Sequence, residues 1–340
     1  MSIQQLAEDL GLSISTVSRA LNGYTDVSES TRERVTARAA ALNYTPHPGA
    51  RSLKSGKSYA VGVILPANEV TGGFMDPMYS SLLGGVSRGL KAGGYNLVVS
   101  TNSGLPVKEE LTLYDQFLRA KWFDGYIIVR TRIDDPRVTA LLKHQVPFVT
   151  YGRTETEGNE FWVDTDNEQA FYLATQRQIA FGHRNIALLN GPEEFMFAAL
   201  REKGYTRAMH GAGLEPALHQ VLHGSLTEKA GYDLTEQLIT SNNPPSALLC
   251  ATDAMAIGAI AACRAYGLSV GKQISVVGYG NSDAGHFSAP PLTTIAHDVQ
   301  NNGVHLAELL LTRLRGDTPE QTHFLESVQI IPRASDGRLT

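Results

Sequence analysis

The sequence predicts an α/β protein, a small all-α head followed by a large core of two parallel-sheet subdomains. Three observations predict it. Residues 1–45 carry short amphipathic helices and no strand-like run. From residue 59 onward, apolar runs alternate with stretches of helical period, in two successive sets of similar size. At 340 residues the chain exceeds one typical domain and suggests about two units.

The head opens with Leu6 and Leu10, four apart and therefore on one helical face. Gly11 follows and ends that helix, because glycine takes positive φ without a Cβ clash. Ser13 can cap a second helix, whose Val17 and Leu21 return an apolar face to the first. Ala7 and Ala20 are small where the two would cross. This is the pattern of a helix-turn-helix, although short amphipathic hairpins without DNA contact share it. Ser28 caps a third helix, with Glu29 in its first turn and Val35, Ala39 and Leu42 as its stripe. Pro46 stops it.

The core begins with a buried strand at 59–66. A helix at 78–93, a strand at 96–100, a helix at 108–120 and a strand at 125–129 follow. A helix at 136–144 and a fourth strand at 148–151 complete the first set. Polar residues 152–159 interrupt the rhythm. The second set has helices at 169–181, 195–211, 227–241 and 253–266, and strands at 185–189, 247–251 and 274–278. Continuous apolar strands separated by helices indicate parallel sheets covered on both faces. No repeat by identity and no low-complexity segment is present.

Composition narrows the function classes. Hydrophobic content of 42% suits large cores. The two cysteines, Cys250 and Cys263, have no paired spacing, which fits a reducing compartment and argues against a disulfide framework or a cysteine zinc site. The start, Met1-Ser2-Ile3, lacks the basic and apolar regions of a signal peptide, and no apolar run of about 18 residues occurs. A cytoplasmic protein with no membrane partner is therefore expected. The net charge of −5 divides unevenly. Residues 1–57 hold seven basic and five acidic side chains, +2, leaving −7 for the remainder. A basic head on an acidic body keeps attraction to phosphate local.

Enzyme motifs are lacking. There is no P-loop, G-x-S-x-G or H-E-x-x-H. The glycines of residues 278–285 follow a strand, but their spacing is not G-x-G-x-x-G and Pro290-Pro291 comes too soon for a long helix. His219 and His223 are four apart without an evident third ligand. Neither catalysis, a cofactor nor a metal is expected.

A specific resemblance appears in the head. Thr16-Val17-Ser18-Arg19 with Leu21-Asn22-Gly23, Val27-Ser28, Thr31-Arg32, Tyr44-Thr45-Pro46 and Ala50-Arg51-Ser52-Leu53 resembles the DNA-binding headpiece of the LacI/GalR transcriptional repressors. In the core, the best match is Ile274-Ser275-Val276-Val277-Gly278-Tyr279 with Pro290-Pro291-Leu292-Thr293-Thr294-Ile295. The resemblance implies a headpiece at 1–45, a hinge at 46–57 and a two-lobed, periplasmic-binding-protein-like core at 58–340 for effector binding and dimerisation. It implies a first lobe near 58–151 and 296–316, and a second near 162–280 and 322–335. The chain would cross between lobes near 152–161, 281–291 and 316–322. The helix at 299–315 would return to the first lobe, and 324–331 would end in the second.

The resemblance also implies roles. Ser13, Ile14, Ser15, Thr16, Ser18, Arg19 and Asn22 would meet operator DNA from the second helix and the turn after it. Ile14 offers only apolar contact, as to a thymine methyl, whereas the Arg19 fork suits guanine O6 and N7 or else a phosphate. Thr16 and Ser18 suit phosphate oxygens. In the hinge, Arg51 and Lys54 would accompany Leu53, the family's minor-groove wedge. Read without the resemblance, Leu53 packs against the core. Effector contacts map to Met78, Tyr79, Arg201, Asp253 and His297. Trp162 and Phe195 can stack on a sugar face or simply pack. Two departures stand out: Gly152 and Gly280 occupy positions where the family often carries Asp. Their loss removes carboxylates that bind sugar hydroxyls and leaves a roomier cleft, suited to a disaccharide. The expected protein is a homodimeric, sequence-specific repressor of carbohydrate-utilisation genes. It would bind a pseudopalindromic double-stranded operator and answer to a mono- or disaccharide. The alternative is a sugar-binding or sugar-processing protein with a vestigial headpiece.

Overall fold

The computed structural model describes residues 2–21, 24–42, 44, 55–66, 77–101, 107–215 and 220–339. Two units are distinct, Met1–Ser58 and Tyr59–Thr340.

The first unit contains α1 (Ile3–Leu10), α2 (Ile14–Leu21) and α3 (Glu29–Ala41). Ser2 and Gln5 form a capping box at the start of α1, and Gly11 ends it at φ 64°. Ser13 Oγ accepts from the Thr16 amide at 3.1 Å, and Ser28 caps α3 through the Thr31 amide. Leu6, Ala7, Val17, Ala20, Val27, Val35 and Ala39 form the buried core. Full burial of a side chain such as Leu6 or Val17 contributes roughly 1.5–3 kcal/mol, a large share for so small a unit.

The second unit holds two sheets. The first comprises β1 (Ala60–Leu65), β2 (Asn96–Thr101), β3 (Gly125–Val129), β4 (Phe148–Tyr151), β5 (Trp162–Thr165) and β11 (His323–Glu326), ordered β11-β5-β4-β3-β1-β2. All its pairings are parallel. The second comprises β6 (Ile186–Asn190), β7 (Val221–His223), β8 (Ala247–Cys250), β9 (Ser275–Tyr279), β10 (Thr293–Ala296) and β12 (Gln329–Ile331), ordered β12-β10-β9-β8-β6-β7. Only β12 runs antiparallel, against β10.

Helices cover both faces of each sheet, so each strand buries alternate residues on opposite sides. In the first lobe, Val63, Ile127 and Val129 pack towards α4 (Pro77–Leu90) and α12 (Val299–Arg315). Ile64 and Ile128 pack towards α5 (Val107–Arg119) and α6 (Pro136–Lys143). The second lobe is built alike. There α7 (Asn167–Ala180) and α8 (Met196–Gly211) cover one face, and α9 (Glu228–Ile239) and α10 (Asp253–Ala265) the other. The short α11 (Asp283–His286) follows β9. Helix α12 does return to the first lobe. It lies so close to α4 that a Cβ on Gly85 would collide with the Gln300 carbonyl, and one on Gly303 with that of Leu82.

The lobe boundaries differ from the expected ones. Trp162–Thr165 and His323–Glu326 belong to the first sheet, where they pair with each other. Thr293–Ala296 belongs to the second. The chain therefore crosses after β5, after β10 and between β11 and β12, each time a few residues later than expected. The physical reason is strand pairing. The polar stretch 152–161 is a loop that returns β5 to the edge of β4, and does not lead across. Among the described residues, no helix is long and apolar enough to cross a membrane.

Candidate functional site

Helix α2 presents Ser13, Ile14, Ser15 and Arg19 to solvent, with Thr16 and Ser18 half-buried. Burial of Val17 and Ala20 against α1 and α3 fixes which face points outward. Ser13 Oγ lies 2.7 Å from Ser15 Oγ and 2.8 Å from Thr16 Oγ1, so three hydroxyls cluster where the helix begins. Arg19 pairs with Asp26, and its guanidinium lies 5.6 Å from the Tyr24 ring centroid. Both partners of that ion pair are about half exposed, so exchanging the carboxylate for a base or phosphate costs little. Asn22, Arg51, Leu53 and Lys54 lie outside the described residues.

Between the lobes is a cavity of about 530 Å³, within the range of small-molecule sites. It lies where strands of both sheets end, as ligand sites do in open α/β sheets. Met78 and Tyr79 reach it from α4, Arg201 from α8, Asp253 from α10 and His297 from the segment after β10. The structure thus brings together five of the seven expected effector residues.

Arg201 is the most unusual of them. Its side chain is buried, Nε donates to Asn167 Oδ1 at 2.8 Å and Nη1 to the Ala251 carbonyl at 2.5 Å. Its guanidinium lies 3.9 Å from the Tyr279 centroid and 4.7 Å from that of Phe197. Among the described residues no carboxylate pairs with it, and burial pushes its pKa down. A desolvated cation held by a carbonyl, an amide and aromatic faces is prepared for an oxygen-rich ligand.

Asp253 is held on several sides. Its carboxylate accepts from Thr294 Oγ1 and from the Ser282 amide, both at 2.6 Å, and burial raises its pKa. His297 is driven the other way. Burial, with Arg201 nearby, lowers its pKa to about 4, so the ring is neutral near pH 7. Its Nε2 lies 3.4 Å from the Tyr151 hydroxyl.

Two of the seven are not brought to the cavity. Trp162 is not in the lining; its ring stacks on His323 at 4.5 Å, because β5 is paired with β11. Phe195 is also outside. It is the residue before α8 and turns towards Arg130 and Arg132, whereas Phe197, two positions later, lines the cavity. Tyr151, Arg153 and Tyr279 line the cavity from strand ends, and Arg153 pairs at 2.7 Å with Asp164, which sequence reasoning missed. Asp164 is buried, and burial outweighs Arg153 in raising its pKa. The positions after β4 and β9 carried the signal for some of these, since such ends collect ligand residues. Gly152 and Gly280 do line the cavity, at φ 112° and 126°, conformations costly for any residue with a Cβ.

A sequence model of bacterial regulatory proteins of the lacI family matches residues 2–47, and one of a periplasmic binding protein-like domain matches residues 175–335. The HTH-type transcriptional regulator AglR of Rhizobium meliloti (strain 1021) is 34% identical over 344 residues, 99% of this chain and 94% of that protein. The chain belongs to the LacI family. Like its LacI-family relatives it is a DNA-binding transcriptional regulator, not an enzyme. Two solved LacI-family structures match along nearly the whole chain. The transcriptional regulator CelR–cellobiose complex has a TM-score of 0.76 at 29% identity, covering 98% of this chain and 99% of that one. The lac repressor dimer bound to operator and the anti-inducer ONPF has a TM-score of 0.84 at 29% identity, covering 98% of each.

Proposed function

We propose that the chain is a homodimeric repressor of carbohydrate-utilisation genes, released from or fixed on a pseudopalindromic operator by a mono- or disaccharide bound between the lobes. The observation that carries this reading is the interlobe cavity, with a buried arginine beside the faces of Tyr279 and Phe197. Sugars present hydroxyl edges and apolar faces, and this combination meets both. Asp253 and the Tyr151 hydroxyl add polar partners. A volume of about 530 Å³ suits two rings, and a relative of similar fold was solved with cellobiose.

On the DNA side, the hydroxyl cluster of Ser13, Ser15 and Thr16 would take phosphates or base edges, Ile14 a thymine methyl and Arg19 a guanine. Leu53 would wedge the minor groove, with Arg51 and Lys54 on the adjoining backbone. The test is selection from random duplexes by the full-length protein. The reading expects a two-fold symmetric consensus, and an asymmetric consensus overturns it.

A further inference from the structure

Outside the three crossings, two backbone hydrogen bonds join the lobes among the described residues. The Ile133 amide donates to the Glu194 carbonyl, and the Met196 amide to that of Thr131, both at 3.0 Å. They make an isolated antiparallel bridge between Arg132 and Phe195. We propose that residues 131–133 and 194–196 form a latch that holds the unliganded lobes together, with Phe195 as its bolt. The latch rests on the two-lobed cleft described above and not on the identity of the ligand.

The second-lobe half breaks a local rule. Phe195 occupies the N-cap of α8, where Ser, Thr, Asp or Asn would satisfy an exposed amide, and it makes no side-chain cap. The first amide of the helix, Met196, is satisfied by the other lobe instead. The Phe195 ring is buried, with the Arg130 and Arg132 guanidiniums 5.6 and 5.7 Å from its centroid and Phe197 stacked at 5.7 Å. Opening the lobes would expose the ring and leave the helix start uncapped. A residue that serves neither the cap nor the cavity is explained by the contact it makes across the lobes.

The first-lobe half is stiff. Arg130 has φ 52°, a conformation rare outside glycine, which turns the chain out of β3. Its carbonyl accepts from Arg137 Nη2 at 2.9 Å, and the Arg132 amide donates to Asp135 Oδ2 at 3.0 Å. Arg137 is in turn held by Asp135 and Glu110, all three buried, and Glu110 also pairs with Arg132. Such a network keeps the loop in one shape whether or not it meets the second lobe. Arg130 also lines the cavity, so a ligand that engages it touches the latch directly.

The test needs no ligand. Spin labels at Glu109 on α5 and Glu215 beyond α8 report lobe separation in the full chain, and the native cysteines are buried away from the reagent. The wild type should give one narrow distance distribution. Phe195→Ala should broaden or lengthen it, and should speed amide exchange of Ile133 and Met196 by about tenfold or more while the strands keep their protection. Arg132→Gln, which loosens the clamp and leaves Glu110 paired with Arg137, should act in the same direction if Phe195→Ala fails to fold. Unchanged distances and unchanged exchange at these two amides in the folded variant would overturn the latch.

Discussion

Replacing Arg201 by Met removes one buried cation from the cleft and keeps most of the volume. In the free protein two buried acceptors, Asn167 Oδ1 and the Ala251 carbonyl, lose a donor. That alone would cost about 1–3 kcal/mol for each group. The substitution also removes a cation that burial disfavours by more than Tyr279 and the Asp164 carboxylate offset. The two effects oppose, so the expected loss of stability is about 1–3 kcal/mol, within reach of a protein of this size. Ligand binding has no such offset. A guanidinium has five donors, so the contacts to Asn167 and Ala251 leave donors for a ligand. Two charge-assisted hydrogen bonds to ligand oxygens, at about 1.5–3 kcal/mol each, sum to about 3–6 kcal/mol. Affinity should fall by about 10²–10⁴-fold. Calorimetric titration with a panel of mono- and disaccharides measures it, and gel shifts with the selected operator show whether DNA binding persists. A Met variant that keeps the wild-type ligand affinity would exclude Arg201 as a ligand contact. Loss of operator binding without ligand would refute the reasoning.

Other outcomes follow from the same structure. Arg19→Ala should weaken specific operator binding by about 1–3 kcal/mol and relax one symmetric base pair in a repeated selection, because its fork is exposed and its Asp26 pair is weak; an unchanged consensus speaks against base contact. Leu53→Ala should reduce operator bending in circular-permutation gels while sugar titrations stay unchanged, whereas bending at the wild-type level would remove the wedge. His297 has a folded pKa of about 4 against 6.5 when exposed, so the unfolded chain binds more protons between those values. Stability attributable to it is present above pH 6.5 and lost as pH falls towards 4, by about 3 kcal/mol in full. His183 shifts in the same direction, so His297→Gln should flatten part of this slope in denaturant melts across that range, and an unaltered slope counts against the buried neutral ring.

The headpiece was legible because its determinants are local. The Gly11 stop, the Ser13 and Ser28 caps and the four-residue spacing of Leu6–Leu10 and Val17–Leu21 lie within a turn or two of what they control. The alternation of buried strands and helices was legible for a similar reason. The crossings were not. Trp162–Thr165 and His323–Glu326 are four-residue strands with no long apolar run, and their lobe is decided by pairing across about 160 residues of chain. In the cleft, Arg201, Asp253, Tyr79, Met78 and His297 came from the family pattern, and the structure gathers them. Phe195 and Phe197 could not be separated by composition, since the start of a helix decides which of two rings turns inward. The Arg153–Asp164 pair escaped because its members belong to different strand ends, joined only when β4 and β5 lie side by side.

On the proposed reading, a sugar bound between the lobes changes affinity for DNA. A ligand can do so only through a difference in its affinity for the two lobe arrangements, typically 1–3 kcal/mol of coupling. The direct measurement is fluorescence anisotropy of the full-length protein on its selected operator, titrated with the saccharide panel. At least one mono- or disaccharide should shift operator affinity by about 5–150-fold, saturating at the concentration that calorimetry gives for its binding, and Arg201→Met should abolish the shift. Operator affinity unmoved by every sugar that binds, or moved only by a purine or another anionic metabolite, would contradict the account.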